Sequence, residues 1–156
     1  MILSDPRELS ISELKGHCRV LCLDYGDKRI GVAISDINWI IASPLKVLAS
    51  HGVLKELIQT IDEQNVGVLV VGAPKSLSGG NSGKQFEKVK KFANKLDELL
   101  PNKKILFFDE RLSSVAAKRF LDEAEMTRSK QKKTIDKVAA SFFLQGFLDS
   151  LNYNSL

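Results

Sequence analysis

The 156-residue chain carries 44% hydrophobic and 27% charged residues, the balance of an ordinary folded domain, which argues against wholesale disorder. A chain of this length buries roughly 70% of the surface its unfolded form exposes, so one core is sustainable without disulfide or metal staples. Twenty-three Lys and Arg stand against 19 Asp and Glu, and the net charge of +4 tilts the chain towards anionic partners.

The first sixteen residues, MILSDPRELSISELKG, carry acids and lack the continuous apolar segment of a signal peptide. With no apolar stretch near the ~18 residues that span a bilayer, the expectation is a cytoplasmic protein with no membrane association. The only cysteines are Cys18 and Cys22. No second ligand pair completes a tetrahedral zinc site around them and His17, and Cys22 falls in an apolar run where it acts as a small hydrophobe.

Residues 1–18 read as an N-terminal extension, and residues 19–152 as one domain. VLCLDY (20–25) and RIGVAIS (29–35) are apolar, partly β-branched runs separated by Gly26, Asp27 and Lys28, the pattern of a hairpin with a three-residue turn. Trp39 to Leu48, interrupted by Pro44, reads as a third, edge-like strand. The period then changes: Val53, Leu54, Leu57, Ile58 and Ile61 mark one face of a helix. VGVLVVG (66–72) is a continuous apolar run, which predicts a central strand covered on both faces.

A Gly/Ser-rich loop over 76–83 leads to a second helix bearing Phe86, Val89, Ala93, Leu96 and Leu100, stopped by Pro101. KILFF (104–108) is the next buried strand. Ser113 or Ser114 can cap a short helix carrying Val115, Ala116, Arg119 and Phe120, and Ile135 to Leu151 forms a final amphipathic helix. Between Glu125 and Asp136 the stretch MTRSKQKKTI groups Arg128, Lys130, Lys132 and Lys133 with no acid among them, a solvated loop or a polyanion contact. The order β-β-β-α-β-α-β-α-α predicts an α/β fold of ribonuclease H-like type: a mixed five-stranded sheet, three antiparallel strands followed by α/β alternation, with helices on both faces.

Three acids stand out. Asp24 interrupts a run suited to a buried strand, where an unpartnered carboxylate costs several kcal/mol, about enough to require a cation, a donor cluster or a solvated cleft. Asp109 and Glu110 end KILFF, and ligands of α/β sheets gather at the carboxyl ends of strands. Asp136 sits in the first turns of the final helix, bordering its packed face. Each also has a plain structural role open to it: turn-capping, a polar strand end paired with Arg111, or a helix-dipole partner. If the three converge, two carboxylates ~4 Å apart repel by about 1 kcal/mol in water and roughly 4 kcal/mol at an effective dielectric of 20. A cation then has to neutralise them, and all-oxygen ligation selects Mg²⁺ or Mn²⁺. Such ions activate water and stabilise the leaving oxygen of a phosphodiester.

The stretches LDYGDKRIGVAISD (23–36), VVGAPKSLSGG (70–80), FFDERLSSVAA (107–117) and KKTIDKVAA (132–140) resemble, in order and spacing, the four motifs of the YqgF/RuvX family. The resemblance covers nearly everything from Val20 to Leu151. It implies an RNase H-like fold related to Holliday-junction resolvases and a nuclease acting in 5′-end processing of pre-16S rRNA during ribosome biogenesis, in association with the pre-ribosome. It assigns the catalytic and metal-binding acids to Asp24, Glu110 and Asp136, and makes Lys28, Arg29 and Arg111 candidates for phosphate contact beside the basic run. One departure lies in the loop Pro74-Lys75-Ser76-Leu77-Ser78-Gly79-Gly80, where the family commonly has Pro-x-x-x-Asp-Gly-Thr.

Other readings stay open. A DNA-junction endonuclease would use the same acids and metal, and a non-catalytic RNA-binding maturation factor would keep binding after their loss. A sugar-kinase or actin-like ATPase shares the fold and an Asp-x-Gly hairpin but needs two copies of it. The loop GGNSGKQ (79–85) fails the P-loop pattern, with Ser at 78 and Gln at 85.

Overall fold

The computed structural model describes residues 1–73, 81–109 and 128–154, with side chains throughout except at 73, 81–82, 109, 128–137 and 153–154. Its strands are β1 (Arg19–Tyr25), β2 (Arg29–Ser35), β3 (Ala42–Ala49), β4 (Val66–Ala73) and β5 (Lys104–Asp109). They form one sheet in the order β3-β2-β1-β4-β5, with β1, β2 and β3 antiparallel and β4 and β5 parallel to β1. The helices among the described residues are α1 (Ile11–Leu14), α2 (Val53–Glu63), α3 (Asn81–Leu99) and α4 (Arg128–Asn154). This is the mixed sheet that the apolar runs predict, with β3 at an edge and exposed Pro44 on it, where its missing N–H costs no ladder bond.

The central runs are continuously apolar because alternate residues feed two cores. Val20 and Cys22 of β1, Val68 and Val70 of β4, and Leu106 of β5 pack with Ala140, Phe143, Leu144 and Phe147 of α4. The opposite side chains, Leu21, Leu23, Leu69, Val71 and Ile105, pack with Leu57 and Ile61 of α2 and Val89, Ala93 and Leu96 of α3. Each fully buried Leu or Ile in these layers contributes about 1.5–3 kcal/mol relative to an exposed one.

The register between β1 and β4 slips at one point: Arg19 pairs with Val66 but Val20 with Val68, leaving Gly67 as an inserted residue. A β-carbon at 67 would land on the Cys18 sulfur and 2.9 Å from the Cys18 β-carbon, so only glycine fits this bulge without displacement. A one-residue slip in a strand exchanges its two faces. The bulge therefore decides that Gly72, and not Val71, lies level with Asp24.

Several element boundaries differ from the sequence reading. The third strand begins at Ala42 instead of Trp39, because residues 36–41 form a turn closed by the Asp36 carboxylate. That carboxylate accepts N–H groups from Asn38 (3.2 Å), Ile40 (2.7 Å) and Ile41 (2.8 Å). Trp39, at φ 58°, turns inward to donate its indole N–H to the Cys18 carbonyl at 2.7 Å. α3 starts at Asn81, within the stretch read as loop. α4 starts at Arg128 and not Ile135, so the backbone carrying Arg128, Lys130, Lys132 and Lys133 is helical, not a loop. Arg, Lys and Gln are strong helix formers, but this turn-and-a-half has no apolar stripe to mark it. Asp136 accordingly lies well past the first turn, where a helix dipole acts only weakly. The short helix proposed over Val115 to Phe120 lies outside the described residues.

Residues 1–18 pack onto the sheet. Ile2 bridges Ile105, Leu3 donates its N–H to the Ile105 carbonyl at 2.8 Å, and Leu3 and Leu9 bury themselves in the core under α4. Asp5 and Glu8 form a reciprocal capping box around the turn Pro6–Glu8.

Candidate functional site

Asp24 is the penultimate residue of β1, and alternation with Val20 and Cys22 puts it on the sheet face covered by α4. Reading the pairings across the sheet gives one row: Val47 of β3, Gly31 of β2, Asp24 of β1, Gly72 of β4 and Phe108 of β5. Both neighbours of Asp24 in that row are glycine, so neither brings a side chain beside it. A cavity of about 70 Å³ opens there, lined among the described residues by Asp24, Gly26, Arg29 and Gly31. At ~10–15 Å³ per water, it has room for several waters or a partly hydrated ion. Asp24 is half-buried, so its charge is neither fully solvated nor sealed in the core.

The turn beside it is built to stay tight. Gly26 donates its N–H to the Arg29 carbonyl at 2.9 Å, and a β-carbon at 26 would stand 2.7 Å from that same oxygen. Ser50 braces the turn from β3's end, its hydroxyl donating to the Gly26 carbonyl at 2.7 Å and its N–H to the Lys28 carbonyl at 3.0 Å. Lys28 and Arg29 are exposed on this turn, Arg29 also lining the Asp24 cavity. Asp27 pairs with Lys88 of α3 at 3.0 Å, an exposed ion pair of at most about 1 kcal/mol.

Of the three acids singled out in the sequence, only Asp24 has its side chain among the described residues. β5 ends at Asp109, level with Ala73, and Glu110 and Arg111 lie outside the described residues. The backbone of Asp136 is described, in α4, three and four residues before the buried Ala139 and Ala140. The side chains of Arg128, Lys130, Lys132 and Lys133 lie outside the described set, as does the loop 74–80 with its departure from the family pattern. Among the described residues no three His, Cys, Asp or Glu side chains gather into a metal-binding group. Cys18 and Cys22 are both buried, and burial pushes the Cys18 thiol up from its ordinary pKa, away from the thiolate a metal needs.

The sequence reading missed two glycine-dependent features here. In the sequence Gly72 reads only as the last residue of an apolar run, and the Gly67 bulge that brings it beside Asp24 has no signal in a run that otherwise reads as uninterrupted strand.

The RuvX family, described as Holliday junction resolvase, matches residues 18–150. The chain belongs to the RuvX family. Among RuvX-like relatives, a protein of Staphylococcus haemolyticus (strain JCSC1435) named "Putative pre-16S rRNA nuclease" is 43% identical over 138 residues, covering 85% of this chain and 96% of the relative. A protein of the same name from Caldanaerobacter subterraneus subsp. tengcongensis is 45% identical over 136 residues, covering 85% of this chain and 96% of its own. In structure, the chain is similar to T. thermophilus RuvC in complex with a Holliday junction substrate, with a TM-score of 0.53 and 11% identity over 86% of this chain and 96% of RuvC. At that identity the likeness shows the fold alone, and the fold is RNase H-like, as the strand order predicts. The four sequence motifs point to this same family.

Proposed function

We propose that this chain is a divalent-metal-dependent nuclease that cleaves phosphodiester bonds in 5′-end processing of pre-16S rRNA, acting in the cytoplasm on the pre-ribosome. The observation that carries the reading is the Gly31-Asp24-Gly72 row: a half-buried carboxylate at the carboxyl end of a RuvX-family sheet, with open space where its neighbours' side chains would be. The names of the curated relatives favour a ribosomal RNA precursor as substrate. No described helix is long and apolar enough to cross a membrane.

Asp24, Glu110 and Asp136 are the acids of this reading. Phe108 shares the row of Asp24 and packs edge-on against Phe147 of α4, with ring centroids 6.0 Å apart. Glu110 follows directly on β5 in the chain, and the resemblance of FFDERLSSVAA to the family motif supports it as the second acid. Position 136 falls on the helix stripe of Ala139 and Ala140, the stripe that meets the sheet, which favours Asp136 as the third.

Hard carboxylate oxygens at a small cavity fit Mg²⁺ or Mn²⁺. Bound there, such an ion supplies an activated water and charge stabilisation for the leaving oxygen. The chain's own part is to hold the acids and to bind the polyanion. Lys28 and Arg29 do so from the hairpin turn and Arg111 from beyond β5. Arg128, Lys130, Lys132 and Lys133 do so from the first turns of α4.

The family description and the RuvC likeness favour a second substrate, a four-way DNA junction cut by the same acids. Both are tested together. Purified protein is incubated with a labelled pre-16S rRNA fragment or a four-way DNA junction, each with Mg²⁺, Mn²⁺ or chelator, beside Asp24→Asn. Cleavage of the RNA by wild type alone, lost with chelator, is the expected result; preferential junction cleavage transfers the activity to the second substrate. Equal cleavage by Asp24→Asn overturns the assigned chemistry, and binding without cleavage by either protein makes the chain an RNA-binding maturation factor.

A further inference from the structure

Next to Asp24 in the chain stands Tyr25, and strand alternation turns it to the opposite face, where α2 and α3 pack. The two side chains thus stand on opposite faces at the same end of the sheet, their α-carbons about 3.8 Å apart. Tyr25 is half-buried against the half-buried Phe92 of α3, with ring centroids 5.0 Å apart and planes inclined by 41°. A cavity of about 380 Å³ opens beside this pair, lined among the described residues by Tyr25, Ser50, Gly52, Val53, Leu54, Lys55 and Phe92. It is larger than the Asp24 cavity, and the cleavage reading leaves it unused.

Its lining has the makings of a nucleotide subsite. Two aromatic rings, neither wholly covered by the core, supply a stacking surface that any base can use. Val53 and Leu54 supply an apolar wall. Lys55 is exposed, with no carboxylate partner among the described residues, and supplies a cation at the rim. Arg29 lines the Asp24 cavity and Lys28 is exposed on the same hairpin turn, so positive charge stands at this end of the sheet for a phosphodiester backbone to meet.

We propose that the Tyr25–Phe92 cavity receives an unpaired nucleobase of the polynucleotide, adjacent to the phosphodiester held at Asp24; this rests on the nuclease reading above. The consequence is selectivity by strand pairing. A base inside a continuous duplex cannot enter without being flipped out, whereas a base in a single-stranded segment or at a branch enters without that cost. The two cavities together define a substrate whose cut lies beside an unpaired nucleotide.

The test measures binding in chelator, so that no cleavage intervenes, using short single-stranded RNA, single-stranded DNA and blunt duplexes that carry a fluorescent adenine analogue. Wild type should bind single strands more tightly than duplex and quench the analogue. Phe92→Leu and Tyr25→Leu should each weaken single-strand binding about five- to fiftyfold and relieve the quenching, while Phe92→Tyr retains both. Duplex affinity should not change in any of them. Melting curves identify a variant that fails to fold, in which case the other leucine variant decides.

Folded leucine variants with wild-type affinity and quenching overturn the stacking site, and so does a wild type that binds duplex and single strands alike without quenching. A parallel cleavage assay with metal separates the two claims. Metal-dependent cleavage with insensitive leucine variants sinks the stacking site only. Variant-sensitive quenching without cleavage by wild type sinks the nuclease reading, and leaves an unpaired-base binder.

Discussion

Gly67→Ala is the sharpest perturbation of the frame that holds Asp24. The new β-carbon would overlap the Cys18 sulfur and approach the Cys18 β-carbon at 2.9 Å. Cys18 has little freedom to retreat: its N–H donates to the Leu14 carbonyl at 3.1 Å, its carbonyl accepts the Trp39 indole at 2.7 Å, and it is 9% exposed. Overpacking of this kind costs about 1–3 kcal/mol, of which the stiffer unfolded chain returns roughly 0.4–1 kcal/mol. A net loss of about 1–2 kcal/mol lowers the melting temperature by roughly 2–8 °C for a domain of this size. Thermal and urea unfolding of Gly67→Ala, Cys18→Ala and the double variant measure it. Removing the sulfur relieves the worst overlap, so the double variant should be more stable than the sum of the single effects by about 1 kcal/mol. Strict additivity, or a Gly67→Ala protein that melts higher than wild type, would refute the account of the bulge.

Gly31→Val places a branched side chain at a buried position beside Asp24 in the adjacent strand; cleavage by the folded variant should fall at least about a hundredfold, because the obstruction sits next to the carboxylate. Unaltered cleavage by a folded Gly31→Val would move the reaction away from this cavity. Trp39→Phe leaves the Cys18 carbonyl without its indole donor and should cost about 1–3 kcal/mol in urea unfolding, whereas a loss near zero would show the bond to be incidental. For Asp36, burial raises the pKa, but the N–H groups of Ile41, Ile40 and Asn38 outweigh it and hold the carboxyl below its ordinary value. A depressed folded pKa stabilises above the unfolded value of about 3.9 and loses that contribution as pH falls through the folded one. Asp36→Asn should therefore lower the melting temperature at neutral pH and narrow its gap to wild type in strong acid; a gap that does not narrow would contradict the assignment.

How much of this was legible depended on whether apolar spacing carried the information. The β1–β2 hairpin, α2, the central β4 and β5 all follow from runs whose burial pattern repeats at two or at three to four residues. The turn at 36–41 escaped because it is stabilised by one carboxylate collecting three N–H groups, and Trp39 in an apolar run reads as strand until its φ of 58° is known. The start of α4 escaped because Arg128 to Lys133 has no apolar face. The capping box of Asp5 and Glu8 is written in SDPRE, but apolar spacing does not reveal it. At the site, Asp24 announced itself as a charge in an apolar strand. Its glycine neighbour Gly72 did not, since partnership across a parallel pair depends on register, and register here turns on one inserted residue. The choice between Asp109 and Glu110 is equally closed to the sequence, because both faces of KILFF are apolar, and Glu110 lies outside the described residues.

The pairing of Ile2 and Leu3 with Ile105 alters what counts as the smallest autonomous piece of this protein. The family match opens at residue 18, yet a fragment cut there would shed Leu3 and Leu9 from beneath α4 and leave the flank of β5 bare. A bare flank is a template for a neighbouring chain to zip onto, and the opposite margin already guards itself with a proline. Evolutionary kinship and mechanical self-sufficiency thus have different borders in this molecule, and anyone trimming it for biophysics should respect the second.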